Sequence, residues 1–432
     1  MKKNFIILTF FSIIIIGCNN HEKECIDKGL DCNCCPQPDT TVKALPKPSI
    51  ATVNVFLDIS GSMDGYMPNA MPSTKFQIIL PEIISKLKTE YPQNVNFFSA
   101  YDSQNKMKKD DLEKARNEIQ HGTFSWTDNT YLPIMLDSIV SRYLKNEAVD
   151  IFTSDCIYSP KKKDEKESDL AITDIRDKIK PHAKTFATSI FCLNSEFRDK
   201  NNKVNSSPYY MVLFGKQENL NSIENLLIKS FNTFNQTYNE IHFGGKYSTP
   251  FYSILPYTEN TGNYISFPCT SFDSAYVSMQ DIDLNTTNNQ MEFWLGVDLT
   301  EFPNYVKTTN YLDSNLIVSI DKGIAKILIV TTKDKFLSKL NPDDKQIADK
   351  CTHFIKFRIS ELNENISVLN LSLKDTRPDW ISSTNNPDVN TKETNREKTY
   401  GLENIIKGLE EAYNITDASC FIKDLKISLI KK

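Results

Sequence analysis

Hydrophobic and polar positions change rhythm part-way along the chain. Up to about residue 235, short apolar runs alternate with stretches in which apolar residues recur three and four apart. Residues 52–57 (Thr-Val-Asn-Val-Phe-Leu) have the make-up of a core strand. Phe76, Ile79, Leu80, Ile83, Ile84 and Leu87 then predict a helix over 75–90 with one buried face. Strands are predicted at 95–101, 149–155, 187–193 and 209–215, and helices at 172–179 and 223–231. Ile134, Met135, Ile139 and Val140 mark another helical stretch. Strand, polar turn, helix is the unit of an open, doubly wound α/β sheet, whose ligand sites lie at the carboxyl ends of the strands.

Beyond about residue 240 the period shortens to two. Residues 291–297 and 315–320 alternate as half-exposed strands, and 324–331, 354–359 and 367–373 add apolar ones. Asn-, Asp-, Thr- and Pro-rich turns separate them irregularly, which predicts a β-rich, sandwich-like second domain over 236–432. Within it, 376–398 reads as an extended surface loop, with Trp380 either plugging the sandwich, the favoured reading, or standing as an exposed anchor. An amphipathic helix at 402–413 and a strand at 421–430 close the chain.

The amino terminus carries a different pattern. Met-Lys-Lys-Asn precedes an apolar run over residues 5–16, too short to span a bilayer and of the form of a secretory signal. Ile15-Ile16-Gly17-Cys18 resembles the lipobox of bacterial lipoproteins. That resemblance implies cleavage after residue 17, lipid on Cys18, and anchoring in the cell membrane or the outer membrane. An ordinary signal peptide with a chance cysteine is the alternative. Residues 18–49 then form a tether with Cys25, Cys32, Cys34, Cys35 and prolines at 36, 38, 46 and 48. In an exported chain these cysteines favour two local disulfides over a metal-binding tract. Cys156, Cys192, Cys269, Cys351 and Cys420 are scattered, most of them in apolar runs that suit buried thiols.

Composition narrows the class further. Of 432 residues, 40% are apolar and 24% charged, which excludes wholesale disorder. A net charge of -5 offers no basic excess for nucleic acid. The five His share no short motif with Cys, against a zinc enzyme.

The chemistry lies where the first strand ends. Asp58-Ile59-Ser60-Gly61-Ser62 puts a carboxylate and two hydroxyls on alternate residues of a turn, a donor set suited to a hard cation such as Mg²⁺. This motif resembles the metal-ion-dependent adhesion site of von Willebrand factor type A domains. That family adds a threonine from a later loop and an aspartate after its fourth strand. Thr130, in Thr127-Asp128-Asn129-Thr130-Tyr131-Leu132, matches the threonine, with Thr127 in reserve. Asp155, ending Val149-Asp150-Ile151-Phe152-Thr153-Ser154-Asp155, matches the aspartate, though Cys156 stands where the family usually has Gly. The resemblance spans about residues 50–235 and implies a Rossmann-like, doubly wound type A domain. It further implies that Asp58, Ser60, Ser62, Thr130 and Asp155 hold Mg²⁺ or another divalent cation, leaving one position for a carboxylate from a protein or matrix ligand.

The function expected is therefore that of a lipid-anchored cell-envelope protein binding a ligand through its metal. A metal-dependent hydrolase or phosphoryl-transfer enzyme is the rival, and a structural scaffold a third reading. The sequence has no Gly-rich phosphate loop and no Gly-x-Ser-x-Gly elbow, and no catalytic residue is assigned. Ser60 as a nucleophile would need His121 or His182 brought to it by the fold. Asp64 and the charged run 161–166 read as solvated turn and loop.

Overall fold

The computed structural model describes residues 50–432 except 102–105, 128–130, 146, 158–166, 246, 270–274, 285–288 and 389–394. Cys18, the tether cysteines, Thr130 and the charged run 161–166 lie outside the described residues.

The first half is built on β1 (Thr52–Asp58), β2 (Val95–Tyr101), β3 (Lys106–Asp110), β4 (Ala148–Ser154), β5 (Ala187–Arg198), β6 (Val204–Gly215) and β7 (Tyr238–Phe243). They form one seven-stranded sheet in the order β3-β2-β1-β4-β6-β5-β7. β1 lies parallel to β2 and β4, and β3 runs antiparallel at the edge. The doubly wound expectation holds only for this part. β6 pairs antiparallel with both β4 and β5, and β7 antiparallel with β5, so the sheet is mixed. The cause is local. β5 and β6 are joined by a tight turn closed by the Asp199 N–H on the Lys203 carbonyl at 3.0 Å, with Asn202 in the left-handed region at φ +62°. So short a link makes a hairpin and cannot make the long crossover that parallel pairing needs.

Helices cover both faces. On one face pack α1 (Lys75–Glu90), α2 (Leu112–His121) and α5 (Gln217–Thr233), while α3 (Leu132–Ser138) and α4 (Glu167–Ile179) cover the other. α1 begins in a capping box: Thr74 Oγ1 accepts the Gln77 N–H at 3.2 Å, and Gln77 Oε1 accepts the Thr74 N–H at 3.1 Å. Its apolar stripe is the one the period predicts, buried against Val53, Val55 and Leu57 of β1. All seven residues of β4 are buried, as suits a strand covered on both faces.

The second half holds two further sheets. β8 (Tyr252–Leu255), β9 (Asn263–Cys269), β10 (Ala275–Asp283), β11 (Met291–Val297), β12 (Leu316–Ile320), β13 (Gly323–Thr332), β14 (His353–Leu362) and β15 (Ile366–Lys374) lead to a short parallel pair, β16 (Asn385–Asn386) and β17 (Thr399–Tyr400). Helix α6 (Leu402–Tyr413) and strand β18 (Cys420–Lys431) follow. One sheet has the order β12-β15-β18-β10-β9 and the other β13-β14-β11-β8. A single apolar core takes Ile254, Phe293, Leu295 and Phe357 from the four-stranded sheet and Val277, Leu371 and Ile427 from the five-stranded one. Inward residues alternate with half-exposed ones along β10 and β15, which is the period-two signal in the sequence.

The two halves are interlaced rather than consecutive. β7, placed by its sequence with the second half, completes the first sheet. Residues after β15 cross back, and α6 packs on α4 in the layer that holds Phe152, Tyr210 and Ile241. Trp380 packs against that same layer, not the sandwich, and its Nε1 donates to the Glu240 carbonyl at 3.2 Å. The remaining apolar face of the first sheet accounts for this, because α3 and α4 leave Ile190, Val212 and Phe243 to be covered by something. Glu240 also joins the halves, its Oε1 accepting the Tyr305 N–H at 2.6 Å. The scattered thiols match expectation in part: Cys156, Cys192 and Cys351 are buried and Cys420 is exposed.

Helix α6 approaches α4 closely at Gly408. A Cβ built there lies 2.8 Å from the Ile172 carbonyl oxygen and 2.8 Å from Ile175 Cβ, so the helices must part to admit it. Gly408→Ala is expected to destabilise the chain by about 1–3 kcal/mol, although alanine is the better helix former by about 1 kcal/mol. Urea unfolding reads this directly, and an unshifted midpoint would contradict the close approach.

Candidate functional site

Parallel pairing of β1 with β4 decides which groups meet. Leu57 stands opposite Thr153, so the next residues, Asp58 and Ser154, leave the sheet side by side. Ser154 Oγ donates to Asp58 Oδ2 at 2.8 Å, and the Ser60 N–H donates to Asp58 Oδ1 at 2.9 Å. Beyond Asp58 the chain makes a 3₁₀ turn over Gly61–Tyr66, and the Ser60 and Ser62 hydroxyls lie 3.0 Å apart on its near side. Met63 in that turn is fully buried and its sulfur accepts the Asp155 N–H at 3.2 Å, which ties the first motif to the end of β4. Asp155 Oδ1 accepts the Ile157 N–H at 3.2 Å. Asp58, Ser60 and Asp155 are buried, while Ser62 is half-exposed at the open side.

The structure therefore brings four of the five expected donors to the ends of two adjacent strands, and the fifth, Thr130, lies outside the described residues. Its neighbour Thr127 is stitched to the motif through the backbone: its carbonyl accepts the Gly61 N–H at 2.7 Å and its N–H donates to the Ile59 carbonyl at 3.0 Å. The Thr127 hydroxyl faces the same carbonyl at 3.4 Å. Cys156, where the resemblance expects glycine, adopts a left-handed backbone at φ +52°. That conformation costs a non-glycine residue on the order of 1–2 kcal/mol. Its side chain is buried beside Leu132, Tyr210 and Leu402, and its N–H donates to Ser154 Oγ at 2.9 Å. The loop thus keeps a glycine-like path with an apolar side chain as anchor.

Electrostatics follow from burial. Asp58 is pushed up to about 6, first by desolvation and then by the charge of Asp155, against the opposing pull of the Ser60 N–H and the Ser154 and Ser60 hydroxyls. Two carboxylates near each other in a dry place call for a cation. Among the described residues no three His, Cys, Asp or Glu side chains gather into a metal-binding group. The local set is instead two carboxylates with two hydroxyls, all hard oxygens, which fits Mg²⁺ better than a nitrogen- or sulfur-seeking ion. The hydroxyl of Ser60 faces Ser62 and Asp58, and His121 Nδ1 lies 2.9 Å from the carbonyl of Asn117 in its own helix.

Several participants escaped the sequence reading. Ser154 was legible in principle, since parallel register places it beside Asp58. The others come from 240 residues further on. Arg396 Nη1 lies 3.8 Å from Asp155 Oδ2, and its guanidinium sits 4.7 Å above the centre of the Phe197 ring. Thr399 Oγ1 donates to the Asp155 carbonyl at 3.5 Å and accepts the Tyr210 hydroxyl at 2.9 Å. No spacing rule connects these residues with the motif.

Comparison with family models, curated proteins and solved structures finds no match to this chain.

Deeper in the same sheet lies a third buried carboxylate. Asn96 donates to Asn54 at 2.9 Å and Asn54 to Asp150 at 2.7 Å, a polar ladder across β2, β1 and β4. Burial pushes Asp150 up to about 7, with the Asn54 bond pulling the other way. A carboxyl raised on folding takes up a proton in the folded state, so its contribution is fullest below its ordinary value near 4 and is lost as pH rises to about 7. Asp150→Asn is expected to gain stability relative to the native chain by on the order of 2–4 kcal/mol between pH 4 and pH 8. A difference that stays flat over that window in denaturant titrations would refute the assignment.

Proposed function

We propose that this chain is a lipid-anchored cell-envelope protein that binds a protein or matrix ligand through a Mg²⁺-dependent site of the von Willebrand factor type A kind. The observation that carries this reading is the meeting of Asp58 and Asp155, both buried, with the Ser60 and Ser62 hydroxyls at the carboxyl ends of β1 and β4. That is also where open α/β sheets place their ligands. Asp58 and Asp155 would supply negative charge to the cation, and Ser60, Ser62 and Thr130 neutral oxygens. When bound, the ion offers a Lewis-acidic position to one more anionic oxygen.

The chain's own residues do the rest. The Ser154 hydroxyl and Ser60 N–H fix the Asp58 carboxylate, and Met63 and the Ile157 N–H fix Asp155. Cys18 would carry the lipid, and no helix among the described residues is long and apolar enough to cross a membrane. A structural scaffold is the second reading, favoured by Arg396, which already places a positive charge beside Asp155.

Saturating Mg²⁺ is expected to raise the melting temperature of the native chain over that in chelator, by an amount corresponding to about 3 kcal/mol at a hundredfold excess over Kd. Asp58→Ala should abolish that rise and weaken chelator-sensitive capture of a partner from whole cells; unchanged values in both assays would remove the mechanism. Separately, Cys18→Ala should abolish labelling by a fatty-acid analogue, and persistent labelling would remove the anchor.

A further inference from the structure

We infer that Arg396 is a tethered counter-ion that competes with the divalent cation for Asp155, so that metal binding and release of the 395–400 segment are one event. The inference rests on the metal-site reading above and concerns its regulation. Of the two Asp155 carboxylate oxygens, Oδ1 is engaged by the Ile157 N–H at 3.2 Å and Oδ2 faces the guanidinium at 3.8 Å. A cation held between Asp58 and Asp155 would draw on the same carboxylate charge that faces Arg396.

Two like charges cannot share that pocket cheaply. Arg396 is only 13% exposed and Asp155 4%, so repulsion between a guanidinium and a divalent ion would be weakly screened there. The arginine is also placed rather than wandering. Phe197 lies under its guanidinium at 4.7 Å, and three residues on, Thr399 binds the Asp155 carbonyl and Tyr210. Thr399 and Tyr400 are further pinned by pairing with Asn385 and Asn386. At 3.8 Å the guanidinium is close enough to neutralise carboxylate charge that a cation would otherwise use. Because the segment lies between sandwich strands β15 and β18 in the chain, displacement would transmit occupancy of the site to the second half.

The test is direct titration of the full-length protein and its variants with Mg²⁺, read by calorimetry and by the melting temperature in metal and in chelator. Arg396→Gln is expected to bind Mg²⁺ about tenfold or more tightly than the native chain, a difference of about 1.4 kcal/mol. Arg396→Lys, which keeps the charge, should stay near the native affinity. Equal or weaker binding by Arg396→Gln overturns the competition while leaving the metal site standing. If neither the native chain nor Arg396→Gln binds Mg²⁺, the adhesion-site reading itself falls and the inference with it. Trypsin supplies a readout that needs no variant. Cleavage after Arg396 in the native chain, mapped by mass spectrometry, should accelerate as Mg²⁺ rises, with the midpoint found by titration. Protection of Arg396 that Mg²⁺ leaves unchanged or strengthens overturns the inference.

Discussion

Asp58 ends β1 and Asp155 follows the end of its parallel neighbour β4, and both are almost wholly withdrawn from water. Removing one carboxylate from water is costly, and a second beside it adds repulsion that the surrounding protein screens poorly. Much of the local architecture answers that cost. The Ser154 and Ser60 hydroxyls and backbone N–H groups from Ser60 and Ile157 surround the two acids. The Met63 sulfur takes the Asp155 N–H, and a guanidinium arrives from the far end of the chain. On the proposed reading, the same gathering of hard oxygens is what a divalent cation would use.

The interlacing of the two halves gives that arrangement its second input. Were the chain two domains in series, the acids would be completed only by residues from the first half. Instead the segment after β15 returns to the first sheet, lays Trp380 and α6 over its uncovered apolar face, and places Arg396 and Thr399 at the carboxyl ends of the strands. Helix α6 is held by close backbone approach at Gly408 and by the paired Arg377 and Glu410 side chains. The Glu240 bond to Tyr305 and the contact of buried His242 with Glu224 add polar links near the same junction. A change in how the second half sits therefore has a covalent route to the acids at the site.

Much of the secondary structure was legible because burial imposes periodicity. The stripe over 75–90, the strand at 52–57 and the closing helix at 402–413 each carry an apolar pattern matching the face they bury. The Asp58-x-Ser60-x-Ser62 turn was legible for a related reason: its carboxylate and hydroxyls sit on alternate residues of one turn and stay close whatever the rest of the chain does. What failed to show was partnership. Val204–Gly215 reads as a strand, but nothing in its composition says that it runs antiparallel between β4 and β5. Trp380 reads as a plug, but which core it plugs depends on where the chain turns back.

The sequence alone determined many of the strands and helices, among them 52–57, 75–90 and 402–413, and which turn carries a carboxylate with two hydroxyls, since these follow from interactions among residues a few positions apart. Only the tertiary structure decided that Asp155 stands beside Asp58, that the last helix belongs to the first sheet, and that Arg396 reaches the acids across 240 residues. Contacts of that kind arise when separate apolar faces find one another, and the pattern that makes a face apolar does not say which partner will cover it.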